Sequence, residues 1–442
     1  MINYSKLFIL LILSAATFGA MAQTSATTSS PYSKYGFGLY QDPLLPQNKA
    51  LGDLGVAVGK TGGFNDINIV NPASYSNISL TAIDMGAFVN SNTLSQGSVS
   101  QTSSNFRLNH IALAIPTGKH AAFSFGLVPY ADLGYNYTKT ASVKLNNAAT
   151  GGIDTTTTAS YMYTGEGGLS KGYIGYGIGF KNLRVGFNVA YIFGNEKQYR
   201  TTQFTDLPSV LNTSIENSMS TGGLNYDYGL QYEIPIKSDS RITLGYSGSA
   251  STMLSTTSKF VTSQYTLNAT DGTPNTALDS LRSETSDGKI KLPLINRFGI
   301  AYQKDNHFML GAEYKMASWS DVTINGTNAG LQNSQEFAFG GQITPNINSI
   351  GSYWAVIDYR FGVNYNKTYI DVNGTDITQY GASFGLGLPI PNTSRTSFYK
   401  VNLTVEAGRR GSLQNNLVRE TFFNFRLGFT INDRWFQKFK FD

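Results

Sequence analysis

The chain has 442 residues, of which only 14% are charged, and 46 glycines, 27 tyrosines and 27 phenylalanines stand in place of the missing charge. Soluble domains carry about a quarter charged residues, so the balance argues against an ordinary soluble enzyme. With no cysteine, disulfides, thiolate metal sites, cysteine nucleophiles and a lipid attached at a cleavage-site cysteine are excluded. A net charge of only +5 with no basic cluster gives no reason to expect nucleic acid.

Met1–Ala22 has a cationic start at Lys6, an apolar run from Leu7 to Phe18 and Ala20-Met21-Ala22 ahead of Gln23. This is the plan of a cleaved secretory signal peptide. The competing reading, a membrane anchor, needs an apolar run of about 20 residues, and this one is shorter. The exported part shows no linker, charge block or composition shift that would divide it. No later stretch is apolar for long enough to cross a bilayer as a helix.

From Gln23 to about Leu80 the chain shows no lipid-facing alternation. It holds Gly36, Gly38, Gly52, Gly55, Gly59, Gly62 and Gly63, and then Asn71-Pro72-Ala73. Tyr32, Tyr35, Phe37, Leu51, Leu54, Val56 and Ile69 are too many apolar anchors for a disordered tail. The expectation is an N-terminal plug over residues 23–80, folded into the interior of the C-terminal remainder.

Beyond Leu80 the chain alternates. In Lys171–Phe193, Ile174, Tyr176, Ile178 and Phe180 alternate with glycines and Tyr173. Lys181-Asn182 makes the turn, and Leu183, Val185, Phe187, Val189, Tyr191 and Phe193 then alternate with Arg184, Gly186, Asn188, Ala190 and Ile192. The same pattern recurs around Tyr226–Ile234, Phe298–Tyr302 and Phe423–Ile431. A run of alternating segments without apolar blocks fits a membrane β-barrel. Fourteen strands are predicted, near residues 81–90, 105–115, 120–137, 171–180, 183–194, 223–236, 241–250, 292–303, 307–316, 336–345, 353–366, 376–389, 396–408 and 419–431. The Ser-, Thr-, Asn- and Gly-rich segments 138–170, 195–222, 251–291 and 317–335 are predicted to be extracellular loops. Segments 116–119, 181–182, 237–240, 304–306 and 390–395 are predicted to be tight periplasmic turns. The fold class is therefore all-β: an antiparallel transmembrane barrel over residues 81–431 in the outer membrane of a Gram-negative bacterium. Residues 432–442 should form an aromatic, basic periplasmic tail.

Candidates for chemistry are few. His110, His120 and His307 lie on separate predicted strands, with no helical pair that could hold a metal. Gly168-Leu169-Ser170-Lys171-Gly172 matches G-x-S-x-G formally, but it opens a strand where a nucleophile elbow must open a helix. Asp132 and Glu313 read as carboxylates of a wet lumen. No cofactor, metal or catalytic role is expected. Pro129 is more informative. It falls within a predicted wall strand, where it forces either a bulge or kink, or the end of the strand, and both readings stand.

Several pieces resemble the long-chain fatty-acid transporter family of outer-membrane barrels. They are Asn71-Pro72-Ala73 ahead of the first strand, Gly165-Glu166-Gly167-Gly168-Leu169, Val185–Gly194, Ala312-Glu313-Tyr314 followed by Trp319-Ser320-Asp321, and Gly381–Leu388. The resemblance implies fourteen strands around an N-terminal hatch that contains Asn71, Pro72 and Ala73. It also implies entry of apolar ligands from outside and sideways exit near a kink in the third strand, where Pro129 lies. The family includes partner barrels of secretion machinery, so two functions are open. One is passive uptake of hydrophobic small molecules such as fatty acids. The other is an accessory barrel of an outer-membrane secretion or assembly complex. The expected contacts are membrane lipid, a hydrophobic ligand, and another outer-membrane or periplasmic protein docked on the tail.

Overall fold

The computed structural model describes residues 28–59, 64–146, 153–207, 209–268, 270, 272–275, 279–391 and 397–434. The signal-peptide segment 1–22 lies outside them, as do residues 435–442 of the expected tail.

Fourteen antiparallel strands form a closed wall. They are β1 (Thr81–Gln96), β2 (Val99–Gly118), β3 (Ala121–Asn146), β4 (Ile153–Phe180), β5 (Leu183–Phe204) and β6 (Asn212–Lys237). Next come β7 and β8, each in two collinear pieces: Ser240–Ser249 and Met253–Tyr265, then Asp279–Lys291 and Ile295–Lys304. The wall is completed by β9 (Phe308–Ala317), β10 (Ser334–Ile343), β11 (Asp358–Val372), β12 (Thr375–Ile390), β13 (Ser397–Arg410) and β14 (Arg419–Asp433). Each strand pairs with the next, and β14 returns to β1, from Arg419 opposite Ser95 to Asp433 opposite Thr81. Closure removes the free outer edges of the sheet, as lipid requires of a backbone it cannot hydrogen-bond, with β2 and β3 paired only over Ile111–Gly118 and Ala121–Leu127.

The pleat puts alternate side chains on opposite faces. Phe123, Ile174, Ile178, Phe187, Ile300, Phe337, Phe384 and Phe425 stand exposed on the outside. Asn188, Asn424 and Arg426 point inward and are buried, and Arg184 pairs with Glu233. The outward residues form an apolar belt, so the protein is a transmembrane β-barrel of the outer-membrane type.

Three loop expectations need correction. Segments 138–170, 195–222 and 251–291 are largely strand, and β1 and β2 meet at a two-residue turn, with Gly97 at φ +57°. These residues are rich in Thr, which favours extended backbone. Above the membrane both faces of a hairpin are wet, so the apolar alternation vanishes while the strand continues. Segment 317–335 folds into a short 3-10 turn, Trp319–Asp321, and two strand pieces, Thr323–Ile324 and Thr327–Asn328. At the other end, Asn432 and Asp433 belong to β14 and not to a tail.

Replacing Phe187 or Phe425 by Arg should cost roughly 2–4 kcal/mol, because each would put a cation in the apolar belt. Replacing Asn188 by Asp on the inner face should also destabilise the barrel, because it removes the amide donor to Asp227 and sets two buried carboxylates together. Equilibrium unfolding from phospholipid vesicles checks both.

Candidate functional site: the filled lumen and a gap in the wall

Residues 28–80 enter the lumen as short pieces: a 3-10 turn at Pro31–Lys34, a strand at Leu39–Tyr40, one helical turn at Pro46–Lys49 and a 3-10 turn at Pro72–Asn77. The last begins with Asn71, whose side-chain oxygen accepts from Ala73 N–H at 3.1 Å, with Pro72 at the first helical position. Both are favoured starts. Asn71 Nδ2 donates to Val56 O at 2.7 Å and Leu230 O at 3.2 Å, tying this segment to itself and to β6. Asn71, Pro72 and Ala73 are buried and lie flat on the wall. The bed is made of glycines: a Cβ at Gly186 would clash with Pro72, and one at Gly229 with Asn71.

Charge fixes the middle of the segment. Asp42 is paired with both Arg297 of β8 and Lys315 of β9, and Lys315 also pairs with Glu336 of β10. Glu313 accepts the backbone N–H groups of Gly55 at 2.8 Å and Val56 at 2.9 Å. Lys49 pairs with Asp53 at 2.9 Å. Burial works against the Asp42 carboxylate, but Arg297 and Lys315 overcome it and hold its pKa far below the usual range. For Asp53 burial wins over Lys49, and the carboxyl is pushed up to about 6.

Toward the outside the segment ends in an aromatic cluster. Phe37 and Tyr40 pack on Tyr130 and Trp319, and Trp319 stacks on Tyr369 with centroids 3.9 Å apart. Val322, Leu331, Ile370, Ile377 and Leu417 continue this core and seal the outer mouth.

Pro129 lies at a register shift. Pro129 pairs with Ser170 and Ala131 with Leu169, so Tyr130 is the extra residue of a bulge. Of the two sequence alternatives, the structure shows the bulge, and the strand does not end at Pro129. The strand bulges and continues along β4, while its pairing with β2 ends two residues earlier, at Ile111 opposite Leu127. Above that point Val99–His110 of β2 and Val128–Asn146 of β3 have no ladder between them among the described residues.

The N-terminal segment lies in this opening. Leu39 and Tyr40 pair with Asp132 and Ala131, and Gln41 N–H donates to Tyr130 O at 2.9 Å. Ser33 exchanges hydrogen bonds with the Gly134 backbone, and Ser29 bonds Asn105 of β2. Arg107 and Asp132 bridge the opening at 3.1 Å. On the outer side Phe106 and Leu108 are 68% and 59% exposed, against 40–48% for belt residues such as Phe125 and Phe425. β1 flanks them on one side, opposite Val89 and Ala87, and among the described residues no ladder with β3 flanks the other.

The histidines stay apart, as the sequence indicates. His110 bonds Asp84 at 2.5 Å inside the wall, while His120 and His307 sit at turns. Gly168–Gly172 lies within β4, and no helix follows it. Sequence reasoning missed Asp42, Arg107, Tyr130 and Arg297. The polar phase of β2 and β8 marks the two arginines as inward, but nothing in the sequence marks Asp42 as their partner.

The comparisons with known proteins agree with this architecture. The BamG family model matches residues 1–442. The chain belongs to the BamG family. No curated protein matches it in sequence. Among solved structures, the Pseudomonas putida toluene transporter TodX aligns with a TM-score of 0.54 at 14% identity, over 90% of this chain and 99% of that one. A Pseudomonas aeruginosa FadL homologue aligns with a TM-score of 0.56 at 12% identity, over 90% of this chain and 100% of the other. At that identity the likeness is one of fold, and this BamG-family chain shares the architecture of those outer-membrane barrels.

Changing Asp42 to Ala should strand Arg297 without its carboxylate and leave Lys315 with Glu336 alone, at a cost of roughly 3–5 kcal/mol. Hydrogen exchange should show residues 39–56 losing protection while the wall keeps its own. Asp53 acts in the opposite sense. A carboxyl whose pKa is raised on folding contributes stability below about pH 4 and loses it as pH rises through about 6. Protection around residues 48–54 should fall across that window in the native chain and stay flat in Asp53→Asn.

Proposed function

We propose that the chain takes up small hydrophobic compounds across the outer membrane and releases them sideways, through the opening between β2 and β3. The carrying observation is the wall itself. Ladder pairing between these two strands stops at Ile111 and Leu127, within the apolar belt, and the opening is filled by the N-terminal segment in place of wall backbone. Unpaired wall backbone inside lipid is costly, so an opening there needs a use. Phe106 and Leu108 give it an apolar outer rim. The toluene transporter and the FadL homologue, which share the fold, are consistent with this class of solute. In this reading Asn71, Pro72 and Ala73 anchor the base of the hatch, and residues 28–42 are the moving part. Pro129 keeps the opening from zipping shut, since it brings no donor. The uptake reading involves no covalent chemistry and no cofactor.

A second reading, an accessory barrel of an outer-membrane assembly, is favoured by a different observation. The hatch is held by buried ion pairs, and the outer mouth is sealed by packed side chains.

One experiment separates the two. Ser29→Cys with Asn105→Cys should form a disulfide that locks the segment in the opening, in a chain with no other cysteine. Uptake of labelled toluene by cells carrying the native barrel should exceed background. It should fall to background in the oxidised double variant and return on reduction. Pro129→Thr should slow it severalfold. If the native barrel adds nothing to toluene entry and the lock changes nothing, uptake fails and the accessory reading holds.

A further inference from the structure

The described turns at the periplasmic end of the wall are short, and charge lies in or beside each: Lys119, Lys181, Lys237 with Asp239, and Lys304 with Asp305. The connection from β10 to β11, residues 344–357, is longer and holds no charged residue. It is folded by its own bonds. Asn346 N–H donates to Ala355 O at 2.8 Å and Ser349 N–H to Asn346 O at 3.1 Å, and Tyr353–Ala355 forms a 3-10 turn. Yet its large side chains stand outside. Ile350 is 104% exposed, Trp354 69% and Tyr353 44%. Large apolar groups exposed together mark a contact surface.

The neighbouring wall indicates what covers it. On β5 the outward apolar phase runs from Leu183 to Phe193, and on β12 from Tyr380 to Ile390. On β10 and β11 it runs only from Phe337 to Ile343 and from Tyr359 to Tyr365. With 3.3 Å per residue and strands tilted by some 40°, a run of about ten residues rises ~25 Å, the height of the apolar band, and one of about six only ~15 Å. At the outer end the exposed pair Lys367–Asp376, 2.6 Å apart, closes the band beyond Tyr365. The shortfall therefore lies at the periplasmic end. There Gly387 of β12 faces Asp358, the first residue of β11, and Leu388 and Ile390 continue past it.

The loop stands at that step. Tyr353 Oη donates to Pro389 O at 3.0 Å. Tyr359, on the outward phase of β11, donates to Trp354 O at 3.0 Å, which holds the 3-10 turn to the lipid side of the strand. Ile343, 47% exposed, carries the band to the root of the loop. The exposed surface is thus continuous with the one that lipid already covers, and Trp and Tyr are the side chains that settle where hydrocarbon meets headgroups. We propose that residues 344–357 form an interfacial anchor, which seats Ile350, Tyr353 and Trp354 in the inner phospholipid leaflet of the outer membrane. The anchor makes up the height that β10 and β11 lack, and it does not depend on the lateral path.

The test uses the full-length barrel in nanodiscs of phosphatidylethanolamine and phosphatidylglycerol, with no other membrane protein present. The chain has no cysteine, so Ile350→Cys provides a single thiol. Phe361→Cys serves as the reference in the band, and Ser238→Cys as the reference in an exposed turn. A bimane at Ile350→Cys should be quenched by brominated acyl chains, as at Phe361→Cys, while the one at Ser238→Cys stays bright. A charged maleimide should label Ile350→Cys roughly tenfold more slowly than Ser238→Cys, since apolar groups of an interfacial segment sit below the headgroups. A bimane as bright as at Ser238→Cys, or labelling as fast, would overturn the proposal. So would a thiol at position 350 that is open to water in nanodiscs and protected in native outer membranes, because a protein then covers the loop. Should Ile350→Cys fail to fold, tryptophan fluorescence decides. Brominated lipid should quench the native chain more than Trp354→Phe, and equal quenching contradicts the anchor.

Discussion

Backbone hydrogen bonding in lipid is the constraint on which this molecule turns. A strand that crosses the bilayer must have its N–H and C=O groups paired, and thirteen of the fourteen junctions comply through long ladders, such as the one from Arg419 to Asp433 that closes the ring. The β2–β3 junction complies only below Ile111 and Leu127. Above that level β3 takes part of its pairing from inside, from Leu39, Tyr40, Gln41 and Ser33 of the N-terminal segment. The hatch and the wall therefore complete each other, and a movement of the segment would expose backbone that nothing else covers.

Charge placement follows from the same geometry. A fourteen-strand ring is wider than its own side chains can fill, so its inner face meets the inserted segment as much as water. Buried ions are tolerated only when paired; most pairs here lie within the wall, and those that seat the segment tie Asp42 to Arg297 and Lys315, beside the Gly55 and Val56 amides on Glu313. Such pairs add little net stability, yet they make one seating of the segment far better than any shifted one. The aromatic cluster around Trp319 supplies the apolar burial that these pairs do not.

The wall was legible in the sequence where lipid is present. Ile174 to Phe193 and Phe423 to Ile431 alternate because one face of each strand meets hydrocarbon, and the strand count followed from such segments. Above the membrane that contrast disappears, so residues 138–170 and 195–222 read as loops although most of them are strand. Asn71-Pro72-Ala73 stood out through a resemblance that three adjacent residues carry. Pro129 marked a disturbance because a proline cannot donate to a ladder, but the consequence lies in β2, some twenty residues away, where pairing stops. Asp42 was invisible because its role depends on Arg297 and Lys315, over 250 residues distant.

The central claim is that the N-terminal segment, and not the wall, closes the lumen. Single-channel conductance in planar bilayers tests it directly, on the intact barrel and on one lacking residues 30–70 with the signal peptide retained. The account predicts a nearly silent intact protein and a wide, steadily conducting pore in the shortened one. A shortened barrel that folds, inserts and conducts no more than the intact protein would contradict it.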